Sequence, residues 1–114
     1  MHELSIIQNI INIIEDIAQK EGLVKITRVV LQVGELRQIV PHVMQFAFEA
    51  ASKDTMAEKA ALELETIPLR VRCKACGRES GVENNVFICA HCGDTSLDVI
   101  EGEELIIKHI EGEI

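Results

Sequence analysis

Apolar positions recur along the chain at two periods, and they divide it into elements. Over residues 4–21, Leu4, Ile7, Ile11, Ile14 and Ala18 fall on one stripe, Ile10 and Ile17 widen it, and Gln8, Asn12, Glu15 and Gln19 lie on or near the other face. This is the 3.6-residue spacing of an amphipathic helix. Isoleucine is only a modest helix former, so the periodicity rather than the propensity carries the assignment. Gly22 follows at a position suited to a left-handed cap. Residues 25–33 then alternate, with Thr27, Val29, Leu31 and Val33 on one face and Ile26, Arg28, Val30 and Gln32 on the other, which predicts a strand ended by Gly34. Pro41 suits the first turn of a second helix, where its missing N–H costs nothing. That helix is expected to run to about Ala51 with Val43, Met44, Phe46, Ala47 and Ala50 facing inward. Thr55 and Glu58 have capping-box spacing in the polar link that follows, enough for a helical turn or two. Residues 61–67 alternate again, with Leu62 and Leu64 inside and Glu63 and Glu65 outside, until Pro68 breaks the strand. Leu69 and Val71 continue an extended path with Arg70 and Arg72 opposite. Near the end, 97–100 and 104–111 read as strands around a turn at 101–103, the second alternating Leu105, Ile107 and His109 against Ile106, Lys108 and Ile110.

These elements assemble as an α+β fold: two helices packed on a small three-stranded mixed sheet made of 25–33, 61–67 and 104–111, with an inserted four-cysteine zinc-ribbon lobe. The expected division is a discontinuous domain, 1–68 with 101–114, and a second domain, 69–100, joined near Pro68 and Gly102 by a flexible junction.

Composition narrows the picture. At 114 residues the chain makes one domain, or one domain with a small insert. Hydrophobic residues are 47% but aromatics only 3%, so Ile, Val and Leu must build the core. A net charge of −8 disfavours nucleic acid as a partner, because phosphate recognition needs a basic footprint. There is no basic-then-apolar leader and no run of 18 apolar residues, so a soluble cytoplasmic protein without membrane attachment is expected. In a reducing compartment, four cysteines read as metal ligands rather than disulfides.

The cysteine pattern is Cys73-Lys74-Ala75-Cys76-Gly77, then an intervening stretch, then Cys89-Ala90-His91-Cys92-Gly93. Each Cys-x-x-Cys-Gly is a knuckle in which a tight turn aims backbone N–H groups at sulfur and glycine takes the positive φ. Two converging knuckles place four thiolates around one tetrahedral Zn(II), a structural site with no position left for a substrate water. Such a small module is expected to need its metal to fold. Thiol redox chemistry would require two thiols free of metal. Arg78 to Ile88 is long enough for one short hairpin. His91, inside the second knuckle, is either an extra or exchangeable metal ligand or a plain exposed histidine.

The chain opens Met1-His2-Glu3. His2 is not a small residue, so Met1 is expected to stay and to carry a free α-amino group, with a reference pKa of about 7.7–8.0. The amine, the His2 amide nitrogen and His2 Nδ1 can reach one ion through a five- and a six-membered chelate ring. Three planar nitrogens with a metal-deprotonated amide suit square-planar Ni(II) or Cu(II) better than tetrahedral Zn(II). Glu3, water or another histidine can fill the fourth position. On the tripeptide alone, a frayed terminus with a solvated histidine is the plain alternative. His42 reads as a surface residue, and His109 as a strand histidine at a sheet edge or end.

Taken in order, Met1-His2-Glu3-Leu4-Ser5, Val33-Gly34-Glu35-Leu36, Thr55-x-x-Glu58-x-Ala60, the two Cys-x-x-Cys pairs and Gly102-x-Glu104-Leu105-x-Ile107-x-x-Ile110-Glu111 resemble the HypA/HybF family of hydrogenase nickel-incorporation proteins, over essentially the whole chain. The resemblance implies a nickel metallochaperone, not an enzyme, that delivers Ni(II) as transient cargo during maturation of the [NiFe]-hydrogenase large subunit. It implies a nickel site on His2, with Met1 supplying the amine and Glu3 adjacent, and structural Zn(II) on Cys73, Cys76, Cys89 and Cys92. It further implies partnership with a HypB-type GTPase and with the large-subunit precursor, and in some bacteria a role in urease maturation alongside urease accessory proteins. Monomer and homodimer both stay open. The rival reading is a zinc-ribbon interaction adaptor without nickel transfer, to which Arg70, Arg72, Lys74 and Arg78 lend a local basic character. A hydrolytic zinc enzyme would need an open metal position and a general base, which four cysteines do not leave.

Overall fold

The computed structural model describes residues 2–84 and 86–114, His2 by its backbone alone. Among the described residues the order is α1 (His2–Lys20), β1 (Lys25–Gly34), a 3-10 turn (Glu35–Arg37), α2 (Pro41–Ala51), β2 (Ala61–Ile67), β3 (Arg70–Cys73), β4 (Glu79–Gly81), β5 (Leu97–Glu101) and β6 (Leu105–Glu113). The strands form two three-stranded sheets, ordered β2-β1-β6 and β4-β3-β5. The first is the expected mixed sheet. Val24 donates to the Glu113 carbonyl at one end and Gly34 to the Glu104 carbonyl at the other, so β1 and β6 run antiparallel. Arg28 reaches Glu63 and Gln32 reaches Glu65, so β2 advances alongside β1 in parallel, with α2 as the crossover that parallel strands require.

The chain separates into two compact units: 1–32 with 39–65 and 106–114, and 33–38 with 66–105. The second unit thus takes in 33–38 as well as the cysteine segment, an arrangement that chain order does not suggest.

In the first unit α1 buries Ile7, Ile10, Ile11, Ile14 and Ala18, as its periodicity predicts. It ends in a Schellman turn: Gly22 has φ +77° and Leu23 N–H returns to the Ala18 carbonyl at 2.8 Å. Leu4 and Ile17, assigned to the inner stripe, are instead exposed at 41% and 39%. The core-facing stripe is narrower than the apolar one. α2 starts with Pro41 at its first position, as expected. It is, however, turned from the expected orientation: Met44, Ala47 and Phe48 are buried, while Phe46 is 73% exposed and Ala50 faces solvent.

β1 buries residues on both faces: opposite Val29 and Leu31, Ile26 and Val30 are also buried, at 0% and 3% exposure. Val30 lies between Arg28 and Gln32, whose side chains spread sideways to reach the neighbouring strands. Arg28 bridges Glu63 on β2 and Glu111 on β6. Gln32 Nε2 and Lys108 Nζ both donate to Glu65, at 3.3 and 3.0 Å. Ile26 lies under the turn at Met56, whose carbonyl takes its N–H at 2.8 Å. That turn stays non-helical. Thr55 Oγ1 accepts from Ala57 N–H, but Glu58 reaches back to Asp54 rather than closing the box on Thr55. On β6 the alternation slips, because Lys108 and His109 are both exposed and Ile110 turns inward.

In the second unit, a clamp is built from the Gly34-Glu35 and Gly102–Glu104 motifs. A Cβ on Gly34 would lie 2.1 Å from the Gly102 carbonyl oxygen, so only glycine fits. Leu36 N–H donates to that carbonyl at 2.8 Å, Glu35 accepts from Leu69 N–H at 3.3 Å, and Arg37 Nε donates to the Glu103 carbonyl at 2.7 Å. Glu104 folds back on its own N–H and those of Gly102 and Glu103, which hold its carboxyl below the usual carboxylate range.

Candidate metal centre

The centre grows out of the second sheet. β3 ends at Cys73, where the chain turns through Lys74-Ala75-Cys76 and Gly77 takes φ +76°. The second knuckle repeats this with Gly93 at φ +79°. Gly77 N–H returns to the Cys73 carbonyl at 2.9 Å and Gly93 N–H to the Cys89 carbonyl at 3.0 Å. The knuckles aim N–H groups at sulfur as their sequence predicts. Cys76 N–H points to Cys73 Sγ at 3.4 Å; His91 and Cys92 N–H point to Cys89 Sγ at 3.4 and 3.5 Å. The segment between the knuckles, long enough for a short hairpin, holds a strand and an antiparallel bridge. Its first part, β4, pairs antiparallel with β3 in the register Val71↔Ser80, and among the described residues Glu83 and Val86 bridge each other.

The four sulfurs converge, all lying within 4.8 Å of one another. Cys73 and Cys92 Sγ are 3.5 Å apart, and Cys76 and Cys89 Sγ are 3.6 Å apart. A disulfide would need about 2.05 Å, so these are free thiols. A tetrahedron of sulfurs with metal–sulfur bonds of about 2.3 Å has edges of about 3.8 Å. The donor set and its spacing therefore fit a tetrahedral thiophilic ion. Cys73 and Cys89 are buried, while Cys76 and Cys92 are exposed, so one side of the centre faces solvent. Electrostatics follow the N–H pattern. The N–H groups of Cys92 and His91 pull the Cys89 thiol down to about 6. At Cys92 the Asp94 N–H favours the thiolate, but the neighbouring Cys73 sulfur, burial, and Cys89 and Cys76 outweigh it and push the thiol up to about 12.

Three of the basic residues around the centre meet carboxylates. Arg72 meets Glu79 at 2.7 Å, Arg70 the same carboxylate at 3.7 Å, and Lys74 meets Asp98 at 3.4 Å. Arg72 and then Arg70 hold the Glu79 carboxyl below its ordinary value. His91 is exposed and stands outside the clustered donor group, contributing its backbone N–H to Cys89. His42 is exposed on the first turn of α2, and His109 lies on the edge strand β6 with Nε2 2.8 Å from Glu111.

At the N-terminus, α1 begins at His2, two residues earlier than the periodicity indicates, with Glu3 in its first turn and partly buried. Met1 and the His2 side chain, on which the nickel reading rests, lie outside the described residues. Sequence reasoning passed over Asp94 and Ser96, which hold the second knuckle. Asp94 Oδ1 accepts from Ser96 N–H at 2.8 Å, and an Asp followed two residues on by a small polar residue is a recognisable turn signal.

Comparison with known proteins agrees with this construction. The family model described as "Hydrogenase/urease nickel incorporation, metallochaperone, hypA" matches residues 1–112. The chain is 46% identical over 113 residues to hydrogenase maturation factor HypA of Nostoc sp., covering 99% of this chain and 96% of that one. It is 36% identical over 114 residues to HypA of Aquifex aeolicus, covering 100% and 99%. The solution structure of the Ni metallochaperone HypA from Helicobacter pylori shares the fold, with a TM-score of 0.72 at 23% identity over 97% of both chains. With two helices, a mixed sheet, an inserted four-thiol lobe and full-length similarity of this degree, the chain belongs to the HypA family of nickel-incorporation metallochaperones that serve hydrogenase maturation, a family of metal carriers and not of enzymes.

Proposed function

We propose that this protein binds Ni(II) at its N-terminus, through the Met1 amine, the His2 amide nitrogen and the His2 imidazole with Glu3 beside them, and passes it to the [NiFe]-hydrogenase large-subunit precursor. The observation that carries this reading is the start of α1 at His2. The first four N–H groups of a helix have no intrahelical acceptor. The His2 amide is therefore not engaged in the helix, and a metal can take its proton without breaking a backbone bond. The positive end of the helix dipole lowers the cost of both deprotonations. A chelate at a chain terminus forms without a buried cage, so the ion stays accessible to a recipient. Nickel is chosen over zinc by planar amide coordination. Copper, favoured by the Irving–Williams order, must be excluded by its availability.

Cys73, Cys76, Cys89 and Cys92 hold structural Zn(II), for which four thiolates and tetrahedral spacing are the natural host. A HypB-type GTPase acts with the protein in delivery, and a urease maturation role with urease accessory proteins follows from the same chemistry. The work is cytoplasmic. The adaptor alternative drew on Arg70, Arg72, Lys74 and Arg78, and the pairing of the first three with Glu79 and Asp98 weighs against a phosphate-binding version of it.

Nickel titration of zinc-loaded protein with a native N-terminus tests this reading, run beside His2→Ala and a chain with one Gly added before Met1. Binding by the wild type that is lost in both variants, with zinc retained, is expected. Equal binding by all three would sink the N-terminal site.

A further inference from the structure

The two knuckles look alike in sequence but are secured differently. After Cys76-Gly77 the chain passes Arg78 directly into β4, whose pairing with β3 holds the first knuckle in place; the Arg78 carbonyl receives Cys73 N–H at 2.9 Å. After Cys92-Gly93 no strand follows at once, since β5 begins only at Leu97. Asp94 stands where Arg78 does. Its carbonyl receives Cys89 N–H at 2.8 Å, and its carboxylate Oδ1 accepts Ser96 N–H at 2.8 Å, closing a side-chain turn over 94–96. The Ser96 carbonyl, oriented by that turn, accepts the N–H of Lys74 inside the first knuckle at 2.9 Å. Cys73 and Leu97 then meet as β3–β5 register partners. One carboxylate thus begins a two-step relay, Asp94 to Ser96 to Lys74, that ties the second knuckle to the first.

We infer that Asp94 is a positioning residue for the four-sulfur centre: its side-chain turn replaces the missing strand pairing, fixes the distance between the knuckles, and slows the release of a bound metal. This rests on the reading that the four thiolates hold a metal. Groups that orient metal ligands from outside the coordination sphere typically change affinity by about 10–100-fold when removed. The turn and not the charge is the active feature. A carboxylate's charge beside four thiolates opposes metal release only by Coulomb attraction, which solvent screens at this partly exposed position.

The test uses the zinc-loaded full-length protein and follows zinc release to an excess of chromophoric chelator. Three variants separate turn from charge. Asp94→Ala loses both; Asp94→Glu keeps the charge but is one methylene too long to close the turn; Asp94→Asn keeps the short acceptor and loses the charge. Asp94→Ala and Asp94→Glu are expected to release zinc faster by on the order of tenfold, and Asp94→Asn at close to the wild-type rate. Amide exchange at Lys74 is expected to quicken in Ala and Glu alone, while the thiolate-to-cobalt absorption of the Co(II)-substituted proteins stays that of four sulfurs. Equal release from all four proteins would overturn the inference, and so would an Asn variant as fast as Ala. If Asp94→Ala does not fold, the contrast between Glu and Asn decides alone. A wild-type protein that takes up no zinc would refute the underlying metal reading instead.

Discussion

Phe46 and Phe48 show how much a single position can leave undecided. They stand two apart on α2, and two residues along a helix turn through about 200°, so they point to opposite sides. Val43, Phe46, Ala47 and Ala50 make one complete apolar stripe; Met44, Ala47, Phe48 and Ala51 make another. Both satisfy the helical period, and only packing selects the second, burying Phe48 to 3% exposure and leaving Phe46 at 73%. Phe48→Ala is accordingly expected to lower stability by about 3–5 kcal/mol. Phe46→Ser is expected to change it by no more than about 0.5 kcal/mol. Urea denaturation compares the two, and equal losses would mean that the described orientation of α2 is wrong. His2 poses the complementary case. Its residue type and position predict a chelate, and the helix start adds that its amide carries no helical bond.

At the level of elements, period and punctuation were read correctly where both worked on the same residues. α1, β1, α2 and β2 follow their patterns, with Gly22 and Pro41 as stop and start. Gly22 has φ +77° and nothing within 4 Å of an added Cβ, so Gly22→Ala pays only for the left-handed backbone. A loss of about 1 kcal/mol is expected in thermal unfolding, with α1 fraying from its C-terminal end. No change at all would mean that the cap adapts by giving up its positive φ. Elements went astray where a partner intervenes. β6 breaks its alternation at Lys108 and His109 because Lys108 turns to Glu65 and His109 to Glu111. The first part of the stretch after the first knuckle pairs with β3. Glu65 lies 43 residues before Lys108, so no local pattern announces that contact.

For the whole molecule, the two compact units differ in what holds them. The first has an isoleucine- and valine-rich core, including fully buried Ile7, Ile14, Val29 and Leu31. The second relies on few buried apolar side chains, chiefly Leu69 and Val71, beside the sulfurs of Cys73 and Cys89. A domain this poor in core is expected to draw its stability from a metal. Stripping the metal with a strong chelator is expected to collapse the amide dispersion of residues 70–101 in a nitrogen–proton spectrum and to leave that of residues 7–31 in place. Retained dispersion in both would show that the thiol lobe folds without metal.

What the sequence by itself determined is the chemistry and the local order. The spacing of cysteines and glycines dictates the knuckles, because a Cys-x-x-Cys turn needs a positive φ at its end and offers N–H groups to sulfur. The apolar periods dictate which segments are helix and strand. Tertiary structure alone decided which stripe of α2 turns inward, why Val30 is covered, that Gly34 must be glycine because the Gly102 carbonyl lies against it, and that Asp94 links one knuckle to the other through Ser96 and Lys74. Each of these depends on a contact with a part of the chain distant in sequence. A sequence records which residues can make such a contact, but only the packed chain supplies the second partner.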